Sequence, residues 1–178
     1  MGSSDLGAFG LIWSVHRDIP KIDRIILSRP DRSAEQAVAE RFPGVSSGSC
    51  VQMELLTEQL AAAMHGVDIP FDLKQVRLDR CPPFQQKVLQ VEYRIPRGQV
   101  TTYQRLARRI GKPSAVRAVG NALAANPFPI FIPCHRAVRS DLTVGGFQGG
   151  PVMKRILLGY EGHVFDHKMR LINPEMAY

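Results

Sequence analysis

The chain has 178 residues, 44% of them apolar, enough for a real core in one medium domain or two small ones. No apolar run approaches the roughly 18 residues that cross a membrane, the N-terminus lacks a basic-then-apolar signal pattern, and three cysteines do not make a disulfide framework. A soluble intracellular protein is expected, and its net charge of +7 favours an acidic partner over a membrane-embedded life.

Leu11–Val15 and Lys21–Ser28 read as strands joined by a turn containing Asp18 and Pro20. Ser33 begins a helical pattern that runs to Phe42 and is stopped by Pro43 and Gly44. A second helix is predicted over Val51–Met64, with Leu55, Leu56, Gln59 and Leu60 near one face, and Leu73–Leu78 alternates like a further strand. Cys50, His16 and His65 lack metal-ligand spacing, so no metal is expected there. Cys81-Pro82-Pro83 reads as a boundary, giving an α+β chain with domains 1–80 and 81–178.

The charge divides at this boundary. Residues 1–80 carry 9 Lys and Arg against 11 Asp and Glu, a balance of −2, whereas residues 81–178 carry 14 against 5, a balance of +9. From Arg94 to Arg117, both included, stand seven basic residues and no acidic one. Such a field suits a polyanion, most simply nucleic acid, although charge alone fits a solvated basic face equally well.

In this basic half, Phe84 to about Arg94 reads as a helix burying Phe84, Val88 and Val91, ended by Pro96-Arg97-Gly98. Thr101 and Gln104 are spaced as a capping box for a helix whose apolar stripe is Leu106, Ala107 and Ile110. Gly111-Lys112-Pro113 is a tight turn, and Ser114 opens a helix through about Ala125. Val116, Val119 and Leu123 face inward there, while Ser114, Arg117, Ala118 and Asn121 share the other face. Two short helices across such a turn are a helix-turn-helix candidate, and the small outer face suits close approach to a backbone or a narrow groove. An ordinary helix pair in a core fits the same pattern.

Next comes Asn126-Pro127-Phe128-Pro129, then Pro133-Cys134-His135-Arg136 and the glycine-rich Gly145–Gly150. A cysteine beside a histidine is a candidate activated nucleophile, because a neighbouring base raises the reactive thiolate fraction. The pair alone would equally serve a protease, a redox switch or a core.

Taken in order, these motifs carry a resemblance. Residues 68–163 resemble the O6-alkylguanine-DNA alkyltransferases, also called methylated-DNA–protein-cysteine methyltransferases. The match includes Phe84-Gln85, Ile95–Gly98, Thr102–Gln104, Arg117–Asn121, Asn126-Pro127, Ile132–Arg136, Gly145–Gly150 and Leu157-Leu158 with Glu161-Gly162. The resemblance implies a small ribonuclease H-like α/β domain followed by a mainly helical DNA-binding domain. It implies base flipping and irreversible, single-turnover transfer of an alkyl group from O6 of guanine, with O4-alkylthymine a further substrate. The partner is double-stranded DNA bearing the lesion, no cofactor or metal is used, and the protein is a monomer, cytoplasmic in a prokaryote or nuclear in a eukaryote.

By the same resemblance Cys134 is the acceptor, His135 its base, Glu161 the carboxylate that orients the histidine, Tyr103 a proton donor to the departing base, and Asn126 the holder of the turn before the cysteine. Arg117 takes the vacated place in the base stack, on a helix lying in the minor groove whose surface includes Ser114, Ala118, Asn121 and Thr102. Pro129, Ala137, Phe147, Gln148 and Gly149 form the base pocket, and Arg136 supports the fold. Phe147 replaces a tyrosine common in the family, Leu89 replaces a tryptophan, and the zinc ligands of some members' small domain have no counterpart. The alternatives are a non-catalytic lesion-binding protein, a helix-turn-helix regulator and a cysteine hydrolase.

Overall fold

A computed structural model describes residues 1–178 as two units, Met1–Leu78 and Asp79–Tyr178, of mixed α and β structure. The first opens on an antiparallel meander of Gly2–Ser4 (β1), Gly7–His16 (β2) and Ile19–Leu27 (β3). The β2–β3 hairpin closes through Arg17 and Asp18, both at positive φ (50° and 62°), the two-residue geometry whose twist matches that of the flanking strands. Ala34–Arg41 (α1) starts at a complete capping box: the Ser33 hydroxyl accepts from Gln36 N at 3.2 Å and Gln36 Oε1 accepts from Ser33 N at 3.0 Å. Its Ala34 and Ala37 pack with Ile26 against Val38 and Phe42.

Val51–Met64 (α2) has the predicted extent, but its buried stripe is Met53, Leu56, Leu60 and Met64. Leu55 is 53% exposed, because a stripe stepping through positions 53, 56, 60 and 64 leaves position 55 on the far side. The strand expected at Leu73–Leu78 does not form. Leu73–Gln75 is a 3₁₀ turn capped by Asp72, and a single bridge from Val76 to Ile22 is all the pairing that follows.

The second unit packs four helices around a small sheet. Pro83–Tyr93 (α3) carries prolines at its start, where a missing N–H costs nothing. Its buried residues are Val88, Leu89 and Glu92, not the Phe84–Val88–Val91 face expected. Gln99–Thr102 (β4) pairs in parallel with Ala137–Val138 (β5) on one side and Glu175–Met176 (β6) on the other. The cap of Tyr103–Arg109 (α4) is Thr102 rather than Thr101: Thr102 Oγ1 accepts from Arg105 N at 3.2 Å, and Thr101 is drawn into β4. After α4 the chain turns through Gly111 and Lys112, whose N–H groups return to Arg108 and Ala107 carbonyls at 2.9 Å each, a Schellman closure.

Val116–Ala124 (α5) begins two residues after Ser114, with Ala115 at the cap, and buries Val119, Ala122 and Leu123. Gln85 of α3 donates to the carbonyls of Ala122 and Ala125 at 3.0 Å each, satisfying the end of α5 that has no intrahelical partners. Gly150–Tyr160 (α6) packs on the Cys134 turn. Val100, Val138, Leu158 and Leu171 form the core behind the sheet. No helix is long and apolar enough to cross a membrane.

Candidate active site

The segment 126–138 is built around Asn126. Its Oδ1 accepts from Phe128 N at 2.9 Å, while its Nδ2 donates to Ile132 O at 3.1 Å and to Cys134 Sγ at 3.2 Å. One buried amide therefore clips the loop shut and touches the sulfur. The clip holds Ile130 at a φ of 72°, a conformation that costs a β-branched residue about 1–3 kcal/mol and persists only where neighbours over-determine it. Cys134–Arg136 is a single 3₁₀ turn, and β5 follows at once. The β4–β5 register sets Thr101 opposite Ala137 and Thr102 opposite Val138, and Tyr103 follows, near enough to Cys134 for the two to interact electrostatically.

Glu161 arrives from α6. It is the C-cap residue, followed by Gly162 at a φ of 91°. Gly162 N and His163 N return to Gly159 O and Leu158 O at 3.0 Å each, the Schellman pattern that a residue with a Cβ would strain. That fixed helix end aims the carboxylate at His135 Nε2 (2.9 Å) and at Arg136, whose Nε and Nη2 donate to it at 2.8–3.1 Å. Arg136 Nη1 also donates to Ile95 O at 2.6 Å, so the arginine supports the site as expected.

These contacts set the protonation states. Burial works to raise the Glu161 carboxyl, but the His135 hydrogen bond and the Arg136 guanidinium outweigh it and hold it at about 2. A carboxylate can only accept, so Nε2 carries the proton and Nδ1 presents its lone pair. Nδ1 is buried and meets no protein partner. Burial pulls His135 below its usual range against the support of Glu161, which leaves a neutral base at neutral pH. Burial pushes the Cys134 thiol up to about 11, with the Asn126 hydrogen bond working against it. The resting cysteine is a protonated thiol, so the thiolate must be made by its base at the moment of reaction.

Tyr103 is raised to about 12, first by burial and then by neighbouring Cys134 and Glu92, and so keeps its proton. A Cβ on Gly145, which sits at a φ of 69°, would lie 2.9 Å from Tyr103 Oη, so the glycine-rich segment approaches the hydroxyl only because that position is bare. Phe147 sets its ring edge-on to His135, centroids 6.2 Å apart. Pro129 and Gly149 are buried and Gln148 half-buried. The Ala137 carbonyl accepts from Lys154 Nζ at 2.5 Å. On the outer face of α5, Arg117, Ala118 and Asn121 are exposed, as is Ser114 before it. Thr102, expected on that surface, is buried with its hydroxyl committed to capping α4.

Against known proteins, residues 83–163 match the model of the 6-O-methylguanine DNA methyltransferase DNA-binding domain. The O6-methylguanine-DNA methyltransferase of the archaeon Pyrococcus kodakaraensis KOD1 superposes with a TM-score of 0.66 at 30% identity, over 86% of this chain and 90% of that one. The chain belongs to this family. The OGT of Mycobacterium tuberculosis, crystallised in complex with DNA, gives a TM-score of 0.61 at 30% identity over 85% of each chain. A methylated-DNA–protein-cysteine methyltransferase of Methanothermobacter thermautotrophicus is 41% identical over 107 residues, 60% of this chain. The chain thus spans less than two thirds of that relative, 60% of its length.

Sequence reasoning missed several residues around this methyltransferase-family site. Gln85, which ties off α5, stood in the motif without a role. Glu92 and Lys154 are both 0% exposed and were passed over. Their one signal was position: each is a charge set among apolar residues at helical spacing, Glu92 four after Val88 and Lys154 beside Met153.

Proposed function

We propose that this protein repairs DNA by moving the alkyl group of O6-alkylguanine, in double-stranded DNA, irreversibly to its own Cys134, once per molecule. The observation that carries the reading is the relay Glu161–His135 set beside a cysteine that Asn126 holds by its sulfur. His135 Nδ1 takes the thiol proton through a water, and Glu161 supports the imidazolium that results. The thiolate attacks the alkyl carbon, an S–C bond forms, and the C–O6 bond breaks with its electron pair passing to the guanine. Tyr103 donates its hydroxyl proton to that base, and the proton on His135 restores it, so charge balances. No cofactor enters, and Cys134 leaves as a neutral thioether.

The lesion lies inside the duplex, so the nucleotide must first leave the stack at a cost of a few kcal/mol. In this reading α4 and α5 are a helix-turn-helix, α5 lies in the minor groove, and exposed Arg117 fills the gap. Ser114, Ala118 and Asn121 keep its surface small enough for the backbone to approach, and Thr102 serves by capping α4. Pro129, Ala137, Phe147, Gln148 and Gly149 line the base pocket. Domain 81–178 carries the chemistry, and the three-stranded sheet and two helices of 1–80 stand as the ribonuclease H-like partner. The protein works as a monomer.

The Cys134→Ala variant tests the reading. It should bind lesion-bearing duplex about as well as the wild type and transfer nothing. Transfer that survives this change would overturn the assignment of the acceptor.

A further inference from the structure

Two ionisable side chains with no part in the steps above are fully buried in the second unit. Glu92, in the last turn of α3, and Lys154, within α6, each expose 0% of their surface. Their surroundings differ. Lys154 Nζ donates to the carbonyls of Ala137 at 2.5 Å and Gly146 at 3.3 Å, so an ammonium has acceptors in place. Neither oxygen of Glu92 meets a protein hydrogen-bond donor. Its place at the helix C-terminus also sets it where the macrodipole opposes negative charge. Burial without donors is far costlier for a carboxylate than for the neutral acid.

The charged and titratable groups around Glu92 come from several elements: Lys154 of α6, Arg136 and Cys134 of the active-site turn, Tyr103 of α4 and Tyr178 at the chain end. Burial raises the Glu92 carboxyl to about 8 although Lys154 and Arg136 pull the other way. Lys154 is drawn down to about 8 by burial, with Cys134 and Glu92 holding it up.

We propose that Glu92 is a positioning residue that acts through Lys154: buried without a donor beside the active-site turn, its neutral carboxyl leaves the buried ammonium unopposed to attract the nascent thiolate, and its ionisation cancels that charge and slows transfer. The inference rests on the alkyl-transfer reading above. The proton leaves Glu92 for solvent, and the net charge of the Glu92–Lys154 couple falls from +1 to zero.

The sign of the test follows from coupled titration. The couple can lose its first proton from either member, whereas Glu92→Gln, a neutral isostere, leaves only Lys154 to ionise. The first loss therefore moves to higher pH in the variant. The ratio of variant to wild-type single-turnover rate on O6-methylguanine duplex should be near one at pH 6.5 and rise by about twofold or more by pH 9. A flat or falling ratio would overturn the inference, as would a large loss of rate at pH 6.5, which would mean that Gln does not mimic the resting state. A second measurement needs neither the variant nor activity. Carboxyl ¹³C NMR of glutamate-labelled wild type should show one resonance, absent from the Gln variant's spectrum, that titrates near pH 8; ordinary carboxylate titration of every glutamate refutes it. A wild type that transfers no alkyl group would fail the proposed function itself, while transfer with a flat ratio would fail this inference alone.

Discussion

Glu161→Gln removes a charge without changing shape, and its consequences can be worked out from the contacts. The carboxylate accepts from His135 Nε2 at 2.9 Å and from Arg136 at 2.8, 3.0 and 3.1 Å. A glutamine supplies one acceptor and turns an NH₂ group toward donors. Removing one partner of a buried ion pair costs about 3–5 kcal/mol. The carboxyl's displacement from 4.5 to about 2 gives about 3 kcal/mol independently. Because the folded-state value is depressed, this stability is fully present above about pH 4.5 and is lost as pH falls toward about 2. Urea unfolding of wild type and variant should therefore differ by about 3 kcal/mol at pH 7, and the gap should shrink to roughly half by pH 3. The alkyl-transfer rate should fall by about 10²–10⁴, since the tautomer is no longer fixed nor the imidazolium supported. A gap that stays constant between pH 7 and pH 3 would refute the ionised, paired carboxylate on which the relay depends.

Other consequences are as direct. Asn126→Ala orphans Phe128 N, leaves Ile132 O with only the Cys134 N–H and releases the clip on Ile130, so unfolding in urea should show a loss of about 2–5 kcal/mol; less than 1 kcal/mol would mean the loop is held by something else. Arg117→Ala should slow transfer from duplex DNA by tenfold or more while leaving reaction with free O6-benzylguanine base within about twofold, because a free base needs no extrusion. Equal losses on both substrates would remove the flipping role.

Much of the site was legible because it is local in sequence. Pro133–Arg136 and Glu161-Gly162 each compress a geometry into a few residues: a turn that carries the buried cysteine, and a Schellman end whose cap is the carboxylate. The clip by Asn126 was readable as a turn-holder, though its direct hold on the sulfur was not. The readings that failed depended on contacts distant in sequence. Thr101 and Thr102 are both plausible caps, and only pairing of β4 with the two-residue β5 and β6 decides between them. Leu73–Leu78 alternates well enough for a strand but makes just one bridge, from Val76 to Ile22. Glu92 and Lys154 escaped notice because a charged residue is presumed to face water. Only the packing of α3 and α6 around the cysteine turn places them inside.

The most direct test of alkyl transfer to Cys134 is an intact mass taken after mixing the protein with duplex DNA containing one O6-methylguanine, followed by digestion to locate the change. One added methyl per molecule, on the peptide bearing Cys134 and with no further turnover, is the expected result. Binding without a gain in mass, a methyl on any other residue, or repeated turnover would contradict it.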